Sequence, residues 1–136
     1  MSTLSSSAAA SIAIPTLLSR VLRFDALLCL LMGLLLLAAA PVLSPWLGLP
    51  VVLLQRAGGV LWPCAALMAW TARAVRPAAV LVWLIILGNL AWVLASVGVV
   101  RVWFDPTPLG AVVLLVQALA VLLLAELEYV AWRRLR

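Results

Sequence analysis

"PAAVLVWLIILGNLAWVLASVGVV", residues 77–100, is an uninterrupted apolar stretch between Arg76 and Arg101, with the amide of Asn89 in its middle. An α-helix needs roughly 20 apolar residues to cross the ~30 Å of hydrocarbon in a bilayer, and this stretch is long enough. Hydrocarbon offers no water to backbone polar groups, so the stretch must satisfy them internally, as a helix does. It therefore predicts a transmembrane helix with one buried amide.

The composition of the whole chain indicates the same solvent. Of 136 residues, 68% are hydrophobic and 10% are charged, and the mean hydropathy is +1.32. A soluble domain carries about 25% charged residues, so we expect one compact domain surrounded by lipid. The net charge is +5, and every basic residue is arginine. Because these arginines flank apolar segments, they indicate helix anchoring in a bilayer rather than a nucleic-acid partner.

Apolar segments of similar length recur along the chain. The predicted transmembrane spans are residues 24–43, 50–72, 77–100 and 108–128. Pro50, Pro77 and Pro108 each open a segment, at a position where the missing N–H costs little. Thr107 is the expected N-cap of the last helix. These segments predict an all-α, four-helix transmembrane bundle with up-down topology.

The first residues differ in character from the rest. Residues 1–19 are mostly small and carry no charge, and we expect a disordered or interfacial N-terminal tail there. The four-helix domain then covers residues 20–136.

The arginines orient the predicted bundle. Seven lie on one side of the predicted membrane, and Arg56 and Arg101 remain for the other. The seven are Arg20, Arg23, Arg73, Arg76, Arg133, Arg134 and Arg136. The positive-inside rule then places both termini in the cytoplasm.

Asn89 has a possible partner at the same depth. Gln117 lies at the centre of the fourth span, as Asn89 does in the third, so the two amides are expected to bond across a helix interface. The small residues of span three are expected to face a neighbouring helix, and so are those of span four. These residues are Gly88, Ala91, Ala95 and Gly98 in span three, and Ala111, Ala118 and Ala125 in span four. The amides are either structural contacts between helices or the lining of a polar pathway.

Arg56 is a charge about two turns inside the second span. Its long side chain can extend to the outer headgroups. The other interpretation is a site for an anion or a lipid headgroup, formed with Gln55. If a polar pathway exists, Arg56, Asn89 and Gln117 are its candidate residues.

Three acidic residues fall near the predicted cytoplasmic rim, namely Asp25, Glu126 and Glu128. Arginines surround the same level, so we expect surface charge pairs there. A proton-coupled carboxylate is the alternative. It is disfavoured because Asp25, the one acid of the first span, lies at the edge of that span.

The residues that catalysis requires are missing. The chain has no histidine, which excludes Ser-His and Cys-His pairs and makes a haem or metal site improbable. Cys29 and Cys64 lie in apolar spans and are expected to behave as small buried hydrophobic residues. We therefore predict neither an enzyme nor a bound cofactor.

Several short motifs resemble those of small, uncharacterised bacterial integral membrane proteins with four transmembrane helices. They are "RFD" at 23–25, "LGLP" at 47–50, "GNLAW" at 88–92 with Ser96, "TPLG" at 107–110 and "QA" at 117–118. Arg56 and the serine-rich tail depart from that pattern. The resemblance implies a four-helix inner-membrane protein and carries no activity or functional residue with it.

The sequence leaves two functions to compare. The first is a non-enzymatic membrane protein that acts through helix–helix contacts, as a homo-oligomer or as an accessory subunit of a membrane complex. The alternative is a small oligomeric channel or transporter that uses the polar seam of Arg56, Asn89 and Gln117.

Overall fold

A computed structural model describes residues 16–136 as an all-α chain, with no strand in that range. Its helices are α1 (Leu17–Leu47), α2 (Val51–Thr71), α3 (Ala79–Gly98) and α4 (Pro108–Leu135), and a π-helical segment (Val99–Trp103) continues α3. Most of the predicted tail, residues 1–15, lies outside the described residues. All four helices are long and apolar enough to cross a membrane. The predicted number and order of apolar helices are therefore confirmed.

The first and last helices extend well beyond the predicted spans. α1 begins one residue after Thr16, whose side chain caps it by accepting a hydrogen bond from the Ser19 N–H at 3.1 Å. Pro41 and Pro45 lie inside α1, which ends only at Gly48, where φ is +69°. α4 continues to Leu135, and Thr107 caps its N-terminus as predicted. α1 and α4 are therefore longer than their apolar segments, whereas the bounds of the tail and of the membrane spans remain predictions.

Contacts near the helix ends fix how the helices run. The Ser19 hydroxyl donates to the Ala72 carbonyl at 2.8 Å, which joins the start of α1 to the end of α2. The Thr107 N–H donates to the Leu47 carbonyl at 3.1 Å, which joins the end of α1 to the start of α4. α1 is therefore antiparallel to both of its neighbours. α3 packs mainly on α4, whereas its contact with α2 is sparse.

Glycine permits the closest approach of α1 and α2. A Cβ atom at Gly58 would lie 2.9 Å from the Gly33 carbonyl oxygen and 2.9 Å from the Leu36 Cβ. A Cβ atom at Gly33 would in turn lie 2.9 Å from the Trp62 ring. Small residues are used in this way wherever membrane helices pack backbone to backbone.

The small residues of spans three and four were both expected to face a neighbouring helix, and the structure treats the two sets differently. On α4, Ala118 and Ala125 are buried, as expected. On α3, Gly88, Ala91 and Ala95 are exposed, so that prediction is wrong. α3 instead buries larger side chains, and its small-residue face borders the gap left by the sparse contact with α2. The buried side chains of α3 are Val82, Ile85, Ile86, Asn89 and Ser96.

Candidate functional site

Three polar side chains from three helices meet inside the bundle. The Asn89 amide nitrogen donates to Asp25 Oδ2 at 3.0 Å and to Glu128 Oε2 at 3.1 Å. The exposed fractions are 7% for Asn89, 2% for Asp25 and 0% for Glu128. We call this group the carboxyl–amide site. It joins α1, α3 and α4 at a level where their other buried residues are apolar.

The hydrogen bonds of the site leave one oxygen atom without a partner. A side-chain amide has two N–H donors, and here each of them serves one carboxyl group. Glu128 Oε1 is buried and has no hydrogen-bond partner. An unpaired buried polar atom is costly, so this oxygen lowers the stability that the site gives to the fold.

The expected surface pairing of the acids is wrong for Asp25 and Glu128. Both lie about two turns inside their helices, because α1 begins before residue 24 and α4 continues beyond residue 128. Both bond to Asn89 rather than facing the rim. Glu126, in contrast, is exposed, and its role as a rim charge remains a prediction.

The expected bond between Asn89 and Gln117 is also wrong. Gln117 Oε1 accepts from the Trp92 indole N–H at 2.9 Å, and Gln117 Nε2 donates to Ser96 Oγ at 2.8 Å. Because α3 and α4 run in opposite directions, Asn89 lies level with Glu128. Gln117 is three turns away from Glu128 along α4, about 16 Å.

Arg56 stands apart from both polar groups. It is exposed on α2, near the end of the bundle opposite the carboxyl–amide site, and none of the hydrogen bonds of Asn89 or Gln117 involves it. The structure thus places the three predicted seam residues in three separate surroundings. Whether Arg56 extends to lipid headgroups or binds an anion remains a prediction.

A cavity of about 320 Å³ opens between α2 and α3, beside the carboxyl–amide site. Asp25 and Asn89 line it, and Glu128 does not. The rest of its wall is apolar, apart from two thiols and an indole. These other lining residues are Cys29, Leu61, Pro63, Cys64, Leu67, Met68, Leu84, Ile85, Gly88, Trp92 and Val121. We call it the α2–α3 cavity.

Sequence reasoning missed Cys29 and Trp92. Both cysteines are free, and the Cys29 thiol donates to Asp25 Oδ1 at 3.7 Å instead of acting only as a hydrophobic residue. Trp92 lines both the α2–α3 cavity and a second cavity of about 190 Å³ that also contains Gln117. Their spacing held a signal, because Cys29 is four residues after Asp25 and Trp92 is three after Asn89, which places each pair on one helix face.

The site shows no donor set for a metal. Within residues 16–136, no group of three or more histidine, cysteine or acidic side chains is arranged to hold an ion.

The fold and site together define an all-α chain of four membrane-length helices with a buried carboxyl pair. No protein-family model, curated protein or solved structure matches the chain.

Proposed function

We propose that the protein is a proton-dependent transporter of the bacterial inner membrane, with the carboxyl–amide site as its proton-binding site. The observation that supports this proposal is the pair of buried carboxyl groups that accept hydrogen bonds from one amide nitrogen. Ionisable groups inside a membrane are expensive and commonly mark proton relays or substrate pathways. The proposal takes both termini as cytoplasmic in an up-down bundle, which the distribution of arginines supports. It assigns no catalytic step.

A purely structural role explains the site less well. An amide can join two helices by bonding to a carbonyl or to another amide, without any charge. Two buried carboxyl groups instead add a large desolvation cost, and their mutual repulsion adds more if both ionise. The site therefore keeps one proton under ordinary conditions, with the Asn89 N–H groups stabilising the single negative charge that remains.

The proton on the pair can be detected by infrared spectroscopy. We expect purified protein in bilayers at neutral pH to show the carbonyl stretch of a protonated carboxylic acid, which decreases as the pH is raised. The band should disappear in Asp25→Asn/Glu128→Gln. The chain has only four acidic side chains, so the assignment is direct. Glu126→Gln is the matched control, since Glu126 is exposed and two residues from Glu128. A missing band, or one that survives the double substitution, would overturn the proposal.

A second function, assembly through helix contacts, is favoured by the exposed small-residue face of α3. Gly88, Ala91 and Ala95 are exposed there, and a Cβ atom at Gly88 would meet no atom within 4 Å. Such a face allows another helix to approach closely. If assembly is the function, the protein should be oligomeric in mild detergent, and Ala91→Leu should shift it toward monomer by about tenfold. Sedimentation that gives a monomer for the unaltered protein would exclude this candidate.

A further inference from the structure

The α2–α3 cavity is open toward the outside of the bundle. Leu84 and Gly88 lie in its wall and are exposed, and α2 and α3 touch only sparsely around it. In the proposed membrane setting this opening faces lipid, so a ligand would enter sideways from the bilayer. The volume of about 320 Å³ lies at the lower end of the range for small-molecule sites.

The residues that line the cavity favour a ligand with a positive charge and an apolar body. An anion would meet the Asp25 carboxyl group, which disfavours it. Ca²⁺ and Mg²⁺ need about six oxygen ligands, whereas only Asp25 and Asn89 present side-chain oxygen atoms to the cavity. Softer metals would need a group of histidine, cysteine or acidic side chains, and residues 16–136 contain no such group that could hold an ion. An organic cation needs no such shell, because its apolar body can lie along the walls and its charge can face Asp25. The Trp92 ring adds a cation–π partner.

We propose that the α2–α3 cavity binds a monovalent, lipophilic organic cation whose positive charge lies against the Asp25 carboxylate. The one proton that the pair keeps stays on Glu128, and the negative charge that remains lies on Asp25, where it meets the cation. This step rests on the proposed function. The titratable groups that face Asp25 are Cys29 from α1, Cys64 from α2 and Glu128 from α4, while α3 contributes only the neutral Asn89. The cation therefore neutralises the one negative charge of the site.

Benzyltrimethylammonium and its neutral isostere neopentylbenzene separate charge recognition from simple apolar binding. We expect the cation to bind the protein in nanodiscs at least tenfold more tightly than the isostere. Asp25→Asn should weaken cation binding at least tenfold, whereas Glu126→Gln should leave it unchanged. Equal affinity for the two compounds would identify a plain apolar crevice and overturn the inference.

Filling the cavity provides a second, independent variant. A Cβ atom would meet no atom within 4 Å at either Gly88 or Gly59, so both positions accept a larger side chain. Gly88→Leu places that side chain in the cavity wall, and we expect at least tenfold weaker cation binding. Gly59→Leu adds the same group outside the cavity lining and should bind normally. Unchanged affinity in Gly88→Leu would contradict the location of the site. An intact carboxylic-acid band without cation binding would refute this inference alone and leave the proposed function standing.

Discussion

Gly110→Ala is expected to lower the free energy of unfolding by about 3 kcal/mol, at the upper end of the usual cost of overpacking. A Cβ atom at this position would overlap the backbone carbonyl of Leu47. That carbonyl already accepts the hydrogen bond from the Thr107 N–H, and the Thr107 hydroxyl donates to the next carbonyl back, that of Trp46, at 2.6 Å. Because a backbone group cannot rotate away as a side chain can, α1 and α4 would have to separate at this end.

The free energy can be measured by titrating the protein from mild detergent into sodium dodecyl sulfate and following its seven tryptophans by fluorescence. Gly59→Ala and Gly88→Ala are matched controls, because no atom lies within 4 Å of the Cβ that each would add. These controls should be neutral or stabilising by up to about 1 kcal/mol, since alanine favours helices over glycine. A Gly110→Ala protein that unfolds at the same detergent ratio as the unaltered chain would contradict the contact between α1 and α4.

The four helices could be predicted because the signal that defines them is local. Any stretch of about 20 apolar residues satisfies its backbone best as a helix, whatever its neighbours do. The N-cap at Thr107 was equally local, since it depends on a hydroxyl directly before Pro108. These features follow from the order of residues along one segment.

The ends of α1 and α4 could not be predicted from hydropathy. An apolar segment ends where charged residues such as Arg20, Arg23 and Arg133 begin. A helix does not have to end there, because an arginine on its exposed face leaves the backbone hydrogen bonds intact. Pro41 similarly suggested an end, although α1 continues past it. Because the apolar segments are shorter than the helices, Asp25 and Glu128 lie at the edges of those segments, although both are inside their helices. For this reason the sequence alone disfavours a proton-coupled carboxylate.

The carboxyl–amide site depends on partners that are distant in sequence. Asn89 is 64 residues from Asp25 and 39 from Glu128. Hydropathy shows neither which helices are neighbours nor how far one is shifted along another. Placing Asn89 and Gln117 each at the centre of its span assumed that the two spans were level. That assumption fails because the register of α4 on α3 places Glu128 beside Asn89 and Gln117 beside Ser96.

Asn89→Leu is expected to destabilise the bundle by about 2–3 kcal/mol, because it removes the one donor that two buried carboxyl groups share. A hydrogen bond between membrane helices is itself worth about 0.6 kcal/mol on average. The larger cost comes from leaving buried acceptors unpaired, at about 1–3 kcal/mol for each group. Glu128 already has one oxygen without a partner, and the substitution would also remove the amide donor to its other oxygen.

The same detergent titration tests this cost, with Gln55→Leu as the matched control. Gln55 is an exposed amide on α2, so its loss should change the free energy of unfolding by less than about 0.5 kcal/mol. Removing both carboxyl groups as well, in Asp25→Leu/Asn89→Leu/Glu128→Leu, should recover most of the lost stability, since a site without polar atoms leaves nothing unpaired. If the triple variant is instead less stable than Asn89→Leu alone, the two carboxyl groups stabilise the fold even without their hydrogen bonds to Asn89. A stable but inactive triple variant would show that the site is kept for function at a cost to folding.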